Sequence, residues 1–174
     1  AKVVASNIAL YQAGAAWAEA NLDFKYCIPA QKSTVPQIVV NGNTAIALGV
    51  MASGMDICAM YPITPATSAS HYLSDIFERA GGIVHQAEDE IAAICSAIGA
   101  SYAGQLGVTS SSGPGIALKG EAMGLAVMTE LPLVICDIQR AGPSTGMPTK
   151  TEQSDLYQAV YGRNGDTPLP VISA

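Results

Sequence analysis

Three positions in this sequence hold reactive side chains where the backbone is restrained. Thr64 stands in YPITPAT, residues 61–67, between Pro62 and Pro65 and after the apolar run MDICAM. Each proline locks its own φ and biases the preceding residue towards extended backbone, so the threonine is presented on a stiff loop at a strand's end. The other reading is an ordinary strand-to-helix turn. Glu88, Asp89 and Glu90 open EDEIAAICSAIGASYAG. Acids at a helix N-terminus complement the dipole by about 0.3–1 kcal/mol each, which accounts for one or two of the three. Behind them Ala92, Ala93, Ser96, Ala97, Gly99, Ala100 and Gly104 give nearly every turn a small residue. Such a helix packs closely on a neighbour, and a carboxylate at its entrance, Glu90 beside Ile91 in particular, is partly desolvated. Catalytic and structural readings of it both stand. Arg140 closes LPLVICDIQR and is followed by GPSTGMPTK. A guanidinium at a strand's carboxyl end suits bidentate capture of a carboxylate; the alternative is a surface ion pair.

Other motifs carry less. SSSGPG lacks the Lys-Ser/Thr ending of a P-loop, and GPGIALKG does not space its glycines as G-x-G-x-x-G. It is not G-x-S-x-G either, so a hydrolase nucleophile elbow has no support. Pro114 starts a helix after a small-residue turn, and a helix N-terminus there can also take an anion. His71 and His85 have no ligand-spaced partners and read as structural. Cys27, Cys58, Cys95 and Cys136 form no C-x-x-C pair, which disfavours zinc or an iron–sulfur cluster held by this chain alone. Three of the four lie in apolar segments, and the pattern reads as reduced and intracellular.

The elements that must position these residues alternate. Helical spacing marks residues 1 to about 27, and IPAQKSTVP, residues 28–36, reads as a linker. From residue 37 the order is strand QIVV, a helix capped near Asn43 or Thr44, strand DICAMYPI, and a helix ending at Gly81 and Gly82. Strand IVHQA, the EDEIAA helix, strand QLGVTSS, helix GPGIALKGEAMGLAVMTE and strand LPLVICDIQR follow. A polar loop, a short helix near DLYQAVYG and the strand-like LPVIS finish the chain. Strand–helix alternation with near-continuous apolar strands implies an α/β fold: a parallel sheet flanked by helices on both faces, preceded by a helical segment. Ligands in such folds sit at the carboxyl ends of strands, where Thr64, the helix after His85, and Arg140 all fall. The chain has 174 residues, 49% hydrophobic and 13% charged, with a net charge of −6. That suffices for one domain with a proper core. Without a basic run, neither nucleic acid nor an anionic membrane is expected as a partner. No stretch is long and apolar enough to read as a membrane span.

GNTAIALGVMASGMDICAMYPITPAT, HQAEDEIAAICSAIGASYAG, SSSGPG and QRAGPSTGMPTKTEQSDLYQA together resemble the alpha subunit of the 2-oxoacid:ferredoxin oxidoreductases, thiamine-diphosphate enzymes related to pyruvate:ferredoxin oxidoreductase. The resemblance runs from about residue 37 to the end. It implies that residues 37–174 form a pyrimidine-type thiamine-diphosphate-binding domain, truncated at the C-terminus. Residues 1–27 resemble the tail of a gamma-type domain, as in gamma–alpha fusions. By position, Thr64 matches the threonine that hydrogen-bonds the substrate, Glu90 the carboxylate that contacts the cofactor's aminopyrimidine, and Arg140 the arginine that pairs with the substrate carboxylate. The spacings from Glu90 to Gly99, Gly104 and Gly115, and from Arg140 to Asp155, are kept.

The family's G-D-G and N-N motif is absent here, so the resemblance implies that Mg2+ and the diphosphate are held by a beta subunit, with the thiamine diphosphate shared between chains. Iron–sulfur clusters are likewise expected on partner chains, with ferredoxin, coenzyme A and a small 2-oxoacid as the other partners. This style of alpha sequence leans towards 2-oxoglutarate. The compartment implied is cytoplasmic. A transketolase or acetolactate-type enzyme is a second reading, which QRAGPSTGMPTK counts against. A catalytically silent flavodoxin-like scaffold is a third.

Overall fold

The computed structural model describes residues 2–23, 26, 28–150 and 152–173. Contacts divide the chain into residues 1–38 and 39–174. In the first unit, helix α1 (Lys2–Asn21) has no buried residue, and Asn21 closes its last turn by donating to the Trp17 carbonyl at 2.8 Å. Cys27 lies outside the described residues.

The second unit begins with helix α2 (Gly42–Ala52). Its cap is Asn41, whose side chain accepts from the Thr44 amide at 2.8 Å, not Asn43 or Thr44. Strand β1 (Ile57–Met60), helix α3 (Thr67–Ile76), strand β2 (Ile83–Gln86), helix α4 (Glu90–Tyr102), strand β3 (Gly107–Ser111), helix α5 (Gly113–Met128), strand β4 (Leu133–Asp137) and helix α6 (Leu156–Tyr161) follow. The strands pair in the order β2-β1-β3-β4, all parallel. The expected α/β architecture is therefore present.

Strand parity decides which side chains meet which helices. Cys58, Met60 and Val108 pack with Ala47 and Val50 of α2 and with Leu73 and Phe77. Leu133 and Ile135 point the other way, against Ile94 and Ile98 of α4 and Ile116, Ala122, Met123 and Ala126 of α5. Each face thus carries its own helix pair. The small-residue face of α4 meets β3 at short range: a Cβ on Gly107 would stand 2.5 Å from the Ala97 carbonyl oxygen. The helix through α3 ends one turn later than the α-helix itself, in a 3-10 turn over Phe77–Ala80 capped by Gly81 at φ +84°. Gly82 then passes beneath the Phe77 ring, where a Cβ would come within 2.4 Å.

Two expected strands are not formed. Residues 37–40 belong to no strand, with Ile38 and Val39 exposed, and residues 169–173 are irregular. Both have strand-forming side chains but no neighbouring strand, and β-propensity counts only where a pleated surface is there to pack on.

Candidate active site

Thr64 follows β1, Glu90 follows β2, Ser112 follows β3 and Arg140 follows β4, so all four gather at the carboxyl ends of the strands. The connection from β1 through α3 and that from β2 through α4 cover opposite faces, which puts the topological switch point between β1 and β3. Open parallel sheets bind ligands at that point.

Arg140 is 2% exposed. Its Nη1 donates to the Thr64 carbonyl at 2.8 Å and its Nη2 to Ser144 Oγ at 2.9 Å. Nε has no partner. Among the described residues no carboxylate pairs with this guanidinium, and the two oxygens it meets are neutral. A buried cation so placed carries an uncompensated desolvation cost. The surface-ion-pair reading of Arg140 therefore does not hold. Thr64 is joined to Arg140 through its carbonyl, while its exposed hydroxyl makes no hydrogen bond among the described residues. The Thr64–Pro65 peptide is cis. Asn43, the second residue of α2, braces the loop by donating to the Pro65 carbonyl at 2.8 Å and to Ser68 Oγ at 2.5 Å.

The three acids before α4 separate by role. Asp89 is the N-cap and accepts from the Ala92 amide at 2.7 Å. Glu88 is exposed. Glu90, half-buried at the first helical position, lies against Gly115 of α5: a Cβ there would meet Ser111 Oγ at 2.0 Å and Glu90 Cγ at 2.9 Å. The Glu90 carboxyl has no hydrogen-bond partner among the described residues.

Helix α5 links the two halves of this surface. Its first amide, on Gly113, donates to Asp155 Oδ2 at 3.0 Å, so the anion at this helix N-terminus is a side chain of the chain itself. The N-cap residue Ser112 makes no capping bond, and among the described residues the buried hydroxyls of Ser111 and Ser112 have no partner. Ser154 Oγ donates to the Arg140 carbonyl at 2.6 Å. The intervening loop closes on itself, with the Ala141 amide donating to Lys150 O at 3.0 Å and the Met147 amide to Ala141 O at 3.1 Å. Contacts therefore run from Glu90 over Gly115 to Gly113, through Asp155 and Ser154 to Arg140, and on to Thr64. Glu90 itself makes no hydrogen bond to Thr64 or Arg140.

Two buried charged groups here escaped the sequence reading. Lys119 of α5 is fully buried, donating to the Glu90 carbonyl at 2.9 Å and to Thr109 Oγ1 at 3.3 Å. Burial pushes its ammonium down to about 8, against the charges of Glu90, Asp89 and Cys95, which hold it up. The available signal was weak: a lysine in GIALKGEAMG, a largely apolar stretch whose other charge is Glu121. Asp137 ends β4, in register with Ser111. Burial, then the charge of Asp155 and a side-chain hydrogen bond with it, push its carboxyl up to about 7. The thiol of Cys58 is pushed up to about 12 by burial and then by Cys136, as befits a cysteine used as a core hydrophobe. Cys95, His71 and His85 are exposed.

Among the described residues no helix is long and apolar enough to cross a membrane.

A family model described as pyruvate flavodoxin/ferredoxin oxidoreductase, thiamine diphosphate-binding, matches residues 48–174. The 2-oxoglutarate oxidoreductase subunit KorA of Mycobacterium tuberculosis is 47% identical over 180 residues, covering 99% of this chain and 27% of that protein. The 2-oxoglutarate synthase subunit KorA of Archaeoglobus fulgidus is 45% identical over 135 residues, 78% of this chain and 39% of that one. Among solved structures, 2-oxoglutarate:ferredoxin oxidoreductase from Magnetococcus marinus, with 2-oxoglutarate, coenzyme A and succinyl-CoA bound, superposes with a TM-score of 0.77 at 43% identity. That match covers 97% of this chain and 30% of the other, so the chain spans well under half the length of these relatives. On the family match and these identities, the chain belongs to the pyruvate flavodoxin/ferredoxin oxidoreductase family, in its thiamine-diphosphate-binding part.

Proposed function

We propose that this chain supplies one side of the active site of a 2-oxoacid:ferredoxin oxidoreductase, with 2-oxoglutarate as the 2-oxoacid. The observation that carries this reading is Arg140, a buried guanidinium whose hydrogen bonds go only to neutral oxygens and whose Nε is unpartnered. A substrate carboxylate supplies the missing countercharge. Thr64, held against Arg140 by its own carbonyl, offers a free hydroxyl to the neighbouring oxo group. The names of the relatives support the choice of 2-oxoglutarate.

The residues present also fit the aminopyrimidine of thiamine diphosphate. Glu90 offers a half-buried carboxyl with no competing partner, beside a glycine that leaves it room. When bound, the cofactor supplies the electron sink for loss of carbon dioxide. This chain contributes the hydrogen bond from Glu90 to the pyrimidine ring nitrogen, the Arg140 and Thr64 contacts that orient the substrate, and the apolar helices that exclude water. In this reading residues 37–174 are the pyrimidine-type domain, residues 28–36 a linker and residues 1–27 the tail of a gamma-type domain. A beta subunit holds the diphosphate and Mg2+, and partner chains hold iron–sulfur clusters that pass electrons to ferredoxin. Coenzyme A takes the acyl group, and the complex works in the cytoplasm.

The test is coenzyme-A-dependent reduction of ferredoxin or a viologen dye by the assembled complex, with 2-oxoglutarate and pyruvate in parallel. Glu90→Gln is expected to lower turnover roughly 100-fold or more, in line with loss of a positioned acid–base group. Full activity in an assembled Glu90→Gln complex overturns the cofactor role. A preference for pyruvate overturns the substrate.

A further inference from the structure

A fully buried lysine is a costly choice for a helix interior, where methionine or leucine fills a similar volume without the desolvation penalty. Lys119 lies in α5 with Leu118 exposed and Gly120 on either side. Its one bond to α4 goes to the backbone carbonyl of Glu90, and its other bond to Thr109 anchors it on β3. Gly115 stands four residues earlier on the same helix, so the two positions share one face, a turn apart. Gly115 leaves room for the Glu90 side chain, while Lys119 holds the Glu90 backbone. Both grips close on a single residue. Asp89 already caps α4, so the helix does not need this lysine to begin.

We infer that Lys119 is a positioning residue for Glu90: with Gly115 it fixes the first turn of α4 so that the Glu90 carboxyl is held at the cofactor's aminopyrimidine. The inference rests on the reading of Glu90 as the cofactor contact. Filling space would require only an apolar side chain. Fixing a carbonyl at a distance requires a long donor rooted elsewhere, and Lys119 is that donor.

The experiment uses the assembled complex stripped of thiamine diphosphate, as wild type, Lys119→Met, Glu90→Gln and the double variant. Cofactor affinity is measured by calorimetry, steady-state kinetics after reloading, and hydrogen exchange on the peptide covering residues 87–96. Lys119→Met is expected to lower kcat on the order of 100-fold, as a small misplacement of a reacting group does, with KM for 2-oxoglutarate unchanged. Amide exchange should quicken at the first turn of α4 and not along the rest of the helix. In the double variant, cofactor affinity should fall no further than in Glu90→Gln alone, because both changes remove one contact. Losses that multiply, or a folded Lys119→Met complex with wild-type kcat, overturn the inference. If Lys119→Met does not assemble, Lys119→Gln, whose amide ends one bond short of the ammonium and so falls short of the Glu90 carbonyl, takes its place under the same criteria. A Glu90→Gln complex that binds cofactor and turns over normally removes the reading beneath it. Inactive Glu90→Gln beside normal Lys119→Met sinks only the positioning role.

Discussion

At the scale of single residues, Arg140 and Asp137 answer the same problem differently. Arg140 meets the cost of burial in part by filling two arms of its fork, with the Thr64 carbonyl and Ser144. Lysine cannot span both oxygens and still face an anion. Arg140→Lys should therefore raise KM for the 2-oxoacid roughly 10- to 100-fold, the equivalent of about 1.5–3 kcal/mol for a charged hydrogen bond. An unchanged KM would remove Arg140 from the substrate. Asp137 avoids the cost by holding its proton: its folded value, about 7, lies above the ordinary 3.8. The folded state thus binds that proton more tightly than the unfolded chain. The contribution to stability is full below about 3.8 and is lost as pH rises through about 7. Asp137→Asn imitates the protonated acid at every pH. Its melting temperature should exceed that of wild type above pH 7, and the gap should narrow as pH falls from about 7 and close only near 3.8. A gap that widens on acidification would mean that Asp137 is charged in the folded protein.

At the scale of elements, the site depends on how closely α5 approaches α4 and β3. Gly115 is where a side chain cannot be tolerated, since a Cβ there would overlap Ser111 Oγ and press on Glu90 Cγ. Gly115→Ala should destabilise the domain by about 1–3 kcal/mol, as overpacking does, and weaken thiamine diphosphate binding through Glu90. Calorimetry beside thermal unfolding separates the two effects; unaltered cofactor affinity would mean that Glu90 is not displaced. The small-residue pattern of α4 announced a close neighbour, and Gly107 under Ala97 is that neighbour. The second glycine of SSSGPG, Gly115, carried no comparable signal, because its constraint comes from Glu90, distant in sequence, and from the side chain of Ser111.

At the scale of the whole molecule, the four central strands and their helices were legible because each is an apolar run bounded by caps or glycines. QIVV and LPVIS were misread because their composition is that of a strand while nothing pairs with them. Local pattern reports what a segment can do, and only the sheet decides whether it does. The candidate site was legible in part. Thr64, Glu90 and Arg140 stand out by type and position, yet the carbonyl contact between Thr64 and Arg140 spans 76 residues. Lys119 and Asp137 were hidden for the opposite reason: within the sequence each is an ordinary charge a few residues from an opposite one, Glu121 or Arg140, and only burial makes it unusual.

The loop from Ala141 to Lys150 has a practical side. Lys150 is exposed, and the chain beyond it is hooked back by Ser154 on the Arg140 carbonyl and by Asp155 on the Gly113 amide. Trypsin cleavage after Lys150 should therefore break the polypeptide without releasing either piece. Mass spectrometry of the denatured sample should show the cut after Lys150, while a native gel shows one species that still melts cooperatively. Separation on the native gel would show that those two hooks are too weak to replace a peptide bond.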